Sequence, residues 1–207
     1  MNNSVISEFH QLYYYSGVWV ANTTWMDIPT QKCPLDLWIY QEIIHAIKPD
    51  LIIETGTCYG GSALYIAQIC DLIGNGQVIT IDIANRSGLP EHKRIRYLNG
   101  SSIGPSILDS VDSLIKAAKT IMVILDSDHS RDYVLKEMEF YSKYVTPGSY
   151  MIVEDSNVNG HPIFPDHGPG PFEAITDFLK VHPEFWSDTS REKFLMTQNP
   201  CGYLRRK

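Results

Sequence analysis

Four cysteines in 207 residues, none in a Cys-x-x-Cys pair, argue against both a disulfide framework and a thiolate zinc site. Cys33, Cys58, Cys70 and Cys201 are widely scattered, a pattern that suits reduced thiols in a cytoplasm. Cations are also scarce: 17 Lys and Arg stand against 24 Asp and Glu, for a formal net charge of −7. Binding nucleic acid takes clustered Lys and Arg to neutralise phosphates. The one basic cluster is the short run Arg205-Arg206-Lys207, read as a solvated tail, so no nucleic-acid partner is expected. No apolar run approaches the about 20 residues of a membrane span. The opening Met1-Asn2-Asn3-Ser4 lacks the basic and apolar regions of a secretory signal. The expectation is a soluble, cytoplasmic protein without a membrane partner. Low-complexity sequence is absent too, and the length suits one ordinary core.

The most informative stretch present is Leu51-Ile-Ile-Glu-Thr-Gly-Thr-Cys-Tyr-Gly-Gly-Ser62, followed directly by Ala63-Leu-Tyr-Ile-Ala67. A short apolar burst, a glycine turn and a helix start are what hold a nucleotide-like cofactor against a helix N-terminus. Gln77-Val-Ile-Thr-Ile-Asp82 supplies a second strand ending in an acid, which suits the hydroxyls of a ribose. His92–Leu98 alternates like a third strand, Thr120–Leu125 is the most apolar run, and Ser149–Val153 is another buried strand. Helices are expected over Leu35–Lys48, Ser106–Ala118, Asp132–Tyr144 and Phe172–Val181. Short strands near Lys193–Thr197 and Gly202–Leu204 read as a closing hairpin. The alternation implies an α/β fold with a doubly wound parallel sheet over residues 35–207. Residues 1–34 form an irregular segment rich in aromatics (Tyr13, Tyr14, Tyr15, Trp19, Trp25), read as surface packing, a cap over the ligand pocket, or a subunit contact.

Ligands of such sheets sit beyond the carboxyl ends of the strands. Those ends read Glu54, Asp82, Asn99, Asp126 and Glu154-Asp155, a polar or acidic group in every case. The glycines Gly56, Gly60 and Gly61 do not follow the Gly-x-Gly-x-x-Gly spacing of dinucleotide binders. Glu54, just before the turn, would repel a pyrophosphate but suits a cationic amino-acid ligand. That favours S-adenosylmethionine over NAD, although a carboxylate there also caps a helix turn. Asp126, Glu154 and Asp155 would repel one another unless neutralised. An all-oxygen donor set calls for Mg²⁺ or a similar divalent ion, able to lower the pKa of a substrate hydroxyl. Asp128 lies past the strand end and reads as a turn cap.

These motifs, with Lys32-Cys-Pro-Leu-Asp-Leu-Trp-Ile-Tyr-Gln-Glu42 and the loop Gly160-His-Pro-Ile-Phe-Pro-Asp-His-Gly-Pro-Gly-Pro171, resemble the family of cephalosporin hydroxylases and rhamnosyl O-methyltransferases. The likeness runs from about Trp25 onward, and the layout is similar to that of the metal-dependent catechol-type methyltransferases. It implies a Rossmann-like, mostly parallel seven-stranded sheet with a C-terminal antiparallel hairpin. It implies an S-adenosylmethionine site lined by Glu54, Gly56, Thr57, Gly60, Ser62, Asp82, Ile83, Ser102 and Asp126. It implies magnesium on Asp126, Glu154 and Asp155. His129 stands where catechol-type enzymes carry a lysine base, so it is either the base or a support for the site. His161, His167 and Lys32 are candidates for substrate contact, with a rigid lid as the alternative for the two histidines. The activity implied is methyl transfer to a hydroxyl of a small-molecule acceptor, with homo-oligomers among relatives. A hydroxylase and a non-catalytic cofactor-binding module are the competing readings.

Overall fold

Each apolar run becomes a strand because its side chains alternate between two buried faces. In the computed structural model, which describes residues 3–207, the strands are β1 (Thr24–Trp25), β2 (Ile28–Pro29), β3 (Leu51–Thr55), β4 (Gln77–Asp82), β5 (Ile95–Asn99), β6 (Ile121–Leu125), β7 (Tyr150–Val153), β8 (Phe185–Ser187) and β9 (Tyr203–Arg206). The α-helices are α1 (Asn3–Tyr15), α2 (Val18–Ala21), α3 (Pro34–Ile47), α4 (Gly61–Ile73), α5 (Pro105–Leu114), α6 (Arg131–Ser142) and α7 (Pro171–Val181). Three of them begin on proline, whose fixed φ and missing N–H suit the first helical position.

The main sheet has seven strands in the order β5-β4-β3-β6-β7-β9-β8. The first five pair in parallel, and β9 runs antiparallel to both β7 and β8. Ile53, Ile79, Val123 and Met151 pack on one face with Val111 of α5, Met138 of α6 and Phe178 of α7. Ile52, Val78, Ile124 and Ile152 pack on the other with Tyr40 and Ile43 of α3 and Ile66 of α4. The chain winds outward from β3 to β5 and then returns to β6 on the opposite side of β3. The crevice where that order reverses lies beyond Thr55 and Leu125, the place where open α/β sheets hold their ligands.

Two expectations require correction. Residues 3–25 are not irregular: α1 and α2 precede a small β1–β2 hairpin. The helical pattern escapes notice because the α1 residues Val5, Phe9 and Leu12 are exposed, while polar His10 is the buried one. The closing hairpin is formed by β8 and β9, so its first arm lies at Phe185–Ser187 rather than Lys193–Thr197. Residues 196–199 are buried as a loop that is held by a side chain instead of a ladder. Asp36 accepts from Thr197 Oγ1 at 2.5 Å and from the Gln198 N–H at 2.8 Å.

Helix α1 is tied to the loop after β7. Asn157 Nδ2 donates to His10 Nε2 at 3.0 Å, Gln11 Nε2 to the Pro162 carbonyl at 3.0 Å, and the Phe164 N–H to the Tyr15 hydroxyl at 2.9 Å. His10 is 5% exposed, and burial drives its imidazole down to about 4. A folded pKa below the unfolded value makes this contribution complete above about pH 6.5 and progressively lost as pH falls towards 4. At pH 5 the docking of α1 is expected to weaken by about 2 kcal/mol. Amide exchange over residues 3–15 should accelerate between pH 7 and 5 relative to β3 and β6, and His10→Asn should remove that difference.

Candidate active site

The carboxyl end of β3 is shaped by close approach. Gly56 takes φ +87°, and a Cβ there would stand 1.7 Å from the Asp126 carbonyl oxygen. A Cβ at Gly61 would stand 2.1 Å from Thr30 Oγ1 and 2.4 Å from the Pro29 carbonyl oxygen. The glycines therefore let β6 press on the turn from one side and the β1–β2 hairpin from the other. A cleft of about 290 Å³ remains, lined by Gly56, Thr57, Cys58 and Ser62 of the turn and helix start, Asp82, Asp126, His129 and Asp155 at or after strand ends, and Trp19 and Lys32 from the N-terminal segment. A recess lined by Ile83, Gly100, Ser102 and Tyr133 shares Gly56 and Asp82 with it.

The floor is a chain of polar contacts under the turn. Glu54 is fully buried; its Oε2 accepts from Thr80 Oγ1 at 2.6 Å, and Thr80 Oγ1 accepts from Thr57 Oγ1 at 2.7 Å. Glu54 Oε1 has no hydrogen-bond partner. Burial raises the Glu54 pKa against the pull of the Lys32 ammonium. Asp82 fixes the turn: its Oδ2 accepts from the Cys58 N–H and its Oδ1 from the Ala84 N–H, both at 2.8 Å.

The acids after β6 and β7 converge around Lys32. Its Nζ donates to Glu154 Oε1 at 2.7 Å and to Asp126 Oδ2, and the residue is only 4% exposed. Burial works against its charge, but the two carboxylates outweigh burial and hold its pKa above the ordinary value. Burial, then Asp126, drive the Glu154 carboxyl well up, opposed by Lys32. Asp155 is raised chiefly by burial and drawn down by His129. His129 Nε2 lies 3.3 Å from Asp155 Oδ2, and ligand atoms of Asp126, His129 and Asp155 all fall within 4.8 Å of one another. Glu154 lies outside that trio, on the far side of Asp126 through Lys32.

A second layer holds the acid pair. Asp155 has φ +52°, a conformation that a non-glycine residue keeps only when its surroundings impose it. Its N–H donates to Asn199 Oδ1 at 3.1 Å, and Asn199 Nδ2 donates to the Tyr40 hydroxyl at 3.2 Å. Burial, and then the Glu154 carboxylate, raise the Tyr40 pKa.

The cleft thus brings together Gly56, Thr57, Ser62, Asp82, Asp126, His129, Asp155 and Lys32, with Ile83 and Ser102 in the adjoining recess. Gly60 caps α4 in a left-handed turn against Pro90, and Glu54 lies beneath the floor. Lys32 sits inside the acid cluster, not at a rim. His161 and His167 are outside the cleft lining. His161 stacks on Phe172 at 3.9 Å and its Nε2 lies 3.0 Å from Glu173 Oε1, so it fastens the start of α7. His167 is exposed and donates from Nδ1 to the Gly168 carbonyl at 3.1 Å. Trp19 belongs to the aromatic segment expected as a cap over the pocket, and it does line the cleft. Sequence reasoning missed the roles of Tyr40 and Asn199, whose partners are distant in sequence.

Replacing Gly56 by alanine should cost about 3 kcal/mol or more in urea unfolding, because Asp126 and the turn cannot both keep their places. Gly88, at φ +76° with nothing within 4 Å of a Cβ, is the control. Gly88→Ala should cost only about 1 kcal/mol, and equal losses would reduce the Gly56 effect to backbone conformation alone.

The model of the rhamnosyl O-methyltransferase/CmcI family matches residues 17–207. The rhamnosyl O-methyltransferase of Mycobacterium tuberculosis (strain ATCC 25618 / H37Rv) is 41% identical over 212 residues, covering 99% of this chain and 86% of the relative. The rhamnosyl O-methyltransferase of Mycobacterium leprae (strain TN) is 39% identical over 211 residues, with 99% and 92% covered. A solved structure named "cmcI-D160 Mg-SAM" superimposes with a TM-score of 0.69 at 21% identity, over 89% of this chain and 76% of that one, a likeness of fold. With the strand-end acids and glycine turn in one cleft, and the match spanning nearly all of the chain, the protein belongs to the rhamnosyl O-methyltransferase/CmcI family.

Proposed function

We propose that the protein transfers a methyl group from S-adenosylmethionine to a hydroxyl of a small, sugar-bearing acceptor. In this reading Asp126, Glu154 and Asp155 hold Mg²⁺ or a similar divalent ion, and His129 is the base. The observation that carries it is the meeting, in one cleft at the sheet's switch point, of the glycine turn with the Asp126–His129–Asp155 cluster. Family membership and the naming of both mycobacterial relatives as rhamnosyl O-methyltransferases support the reaction and the sugar.

The residues fit both groups. Glu54 Oε1, buried and unpartnered, is an acceptor suited to the ammonium of the cofactor's methionine end. Asp82, Ile83 and Ser102 offer an acid, an apolar side chain and a hydroxyl for its nucleoside end. For the metal, the donor set is rich in hard oxygens. A cation is already required there, since Lys32 provides the positive charge that bridges Asp126 and Glu154. When bound, the cofactor supplies an electrophilic methyl group, and the divalent ion lowers the pKa of the acceptor hydroxyl.

His129 takes the hydroxyl proton as the new C–O bond forms. Its side chain is 36% exposed within the cleft, which gives it access to both acceptor and solvent. Asp155, 3.3 Å from Nε2, orients the ring and stabilises the imidazolium that results. Asn199 and Tyr40 hold the acid pair in place behind them. The hydroxylase reading needs a second histidine beside His129, yet His161 is committed to Glu173 and α7. A cytoplasmic location is part of the proposal, supported by four free cysteines.

Titration calorimetry with Mg²⁺ tests the roles. Glu154→Gln and Asp155→Asn are expected to weaken the ion by at least about tenfold. His129→Ala should leave that affinity within about threefold while methyl transfer falls at least about a hundredfold. Lost affinity in His129→Ala with none lost in Glu154→Gln would reassign the ligands to Asp126, His129 and Asp155. Lys32→Met, which strands two buried carboxylates, should cost about 3–5 kcal/mol in chelator, and saturating Mg²⁺ should restore part of the loss in a thermal melt. No rescue would mean that Lys32 and the ion do not share those carboxylates.

A further inference from the structure

We propose that Trp19 is the platform on which the acceptor ring rests, and so a specificity-determining residue for the reaction. The inference rests on the methyltransferase reading above. Trp19 lines the same cleft as His129 and Asp155, yet it comes from the short helix α2, far from them in sequence. Its one polar group is spent internally: Nε1 donates to the Tyr14 carbonyl at 3.1 Å. What it offers the cleft is therefore carbon surface, not a hydrogen bond. The ring is also held in place, with Tyr14 packed against it at 4.9 Å between centroids. Tyr14 in turn meets Phe164 edge-on at 5.4 Å.

The other aromatic residue of the cleft, Tyr59, is already engaged, with the Arg86 guanidinium 5.1 Å from its ring centroid. Trp19 is thus the aromatic surface left for a ligand in a lining that is otherwise mainly polar. A fixed indole face carries negative charge density, and the C–H groups on one side of a saturated ring carry small positive charges. A sugar ring can lie on that face and keep its hydroxyls for the polar wall, where one meets His129. A rigid ring held at the right distance lowers the entropy cost of placing that hydroxyl, so its loss is read mainly in acceptor binding.

The test uses the full chain with Mg²⁺, S-adenosylmethionine and methyl α-L-rhamnopyranoside as acceptor, with catechol as a planar comparison. Trp19→Leu keeps apolar bulk against Tyr14 but removes the ring face; Trp19→Phe keeps a face. The leucine variant should raise KM for the glycoside about tenfold or more, with kcat and calorimetric cofactor affinity little changed, and phenylalanine should recover most of the loss. A purely structural role would instead lower the melting temperature and shift both substrates together. An unchanged glycoside KM in Trp19→Leu would overturn the platform and leave the methyltransferase reading standing. Methylation of catechol alone by the wild-type protein would overturn the saturated-ring class. Failure of the wild-type protein to methylate either compound, with no cofactor binding, would instead sink the function on which the inference stands.

Discussion

Burying several like charges at one point is a constraint that few folds meet without a cation, and here the cation belongs to the chain itself. Asp126 and Glu154 sit at the ends of adjacent parallel strands, Glu54 lies beneath the neighbouring turn, and Lys32 reaches between the first two. An uncompensated carboxylate in such a place is strongly disfavoured. The ammonium allows the strand ends to approach as closely as the parallel register demands. It also explains why the N-terminal segment is an integral part of the domain, since that segment delivers Lys32.

Once Lys32 is fixed, much else follows. The β1–β2 hairpin that precedes it must press on the start of α4, and Gly61 is the residue that admits the contact. Helix α1 then lies over the loop that follows Asp155, tied by His10, Gln11 and Tyr15. The segment forms one wall of the cleft through Trp19 and Lys32, with Tyr14 and Phe164 packed in turn behind Trp19. Opposite stands the glycine turn, locked by Asp82 through the Cys58 and Ala84 N–H groups. The two walls differ in kind. One is the glycine turn, rich in backbone polar groups; the other carries a single indole, Trp19, beside Thr30, Gln31 and Lys32.

What could be read from sequence is what local pattern dictates. Strands β3, β4, β6 and β7 are apolar runs of the right length, and their ends announce themselves as Glu54, Asp82, Asp126 and Glu154. Helices α3 to α7 follow from apolar spacing, with their ends off by one to a few residues. The failures share a cause: they depend on partners distant in sequence. Nothing near Lys32 says that it will be buried between residues 126 and 154. Nothing near His161 says that it will pair with Glu173 and stack on Phe172. Helix α1 hides its pattern because its polar histidine is buried against Asn157 while Val5, Phe9 and Leu12 face outward. Residues 193–197 read as a strand because Phe194, Leu195 and Met196 form a short apolar run, yet Asp36 holds Thr197 and Gln198 in a loop, and burial pushes that carboxyl up to about 6.

The position of β9 has a consequence for how the protein is made. It is the last strand in the chain, yet it lies inside the sheet, between β7 and β8. Asn199, which holds the Asp155 backbone, stands just before it, and the Val153 N–H reaches back to the Gly202 carbonyl. Lys32 is therefore synthesised well before the support for Glu154–Asp155. Until residues 199–206 emerge, the acid pair lacks both its neighbouring strand and its asparagine, and a ribosome-bound chain carries the charges of the centre without its geometry. Strand β8 pairs with β9 alone, so the outer edge of the sheet and the seat of the acid pair come together when residues 203–206 take their place.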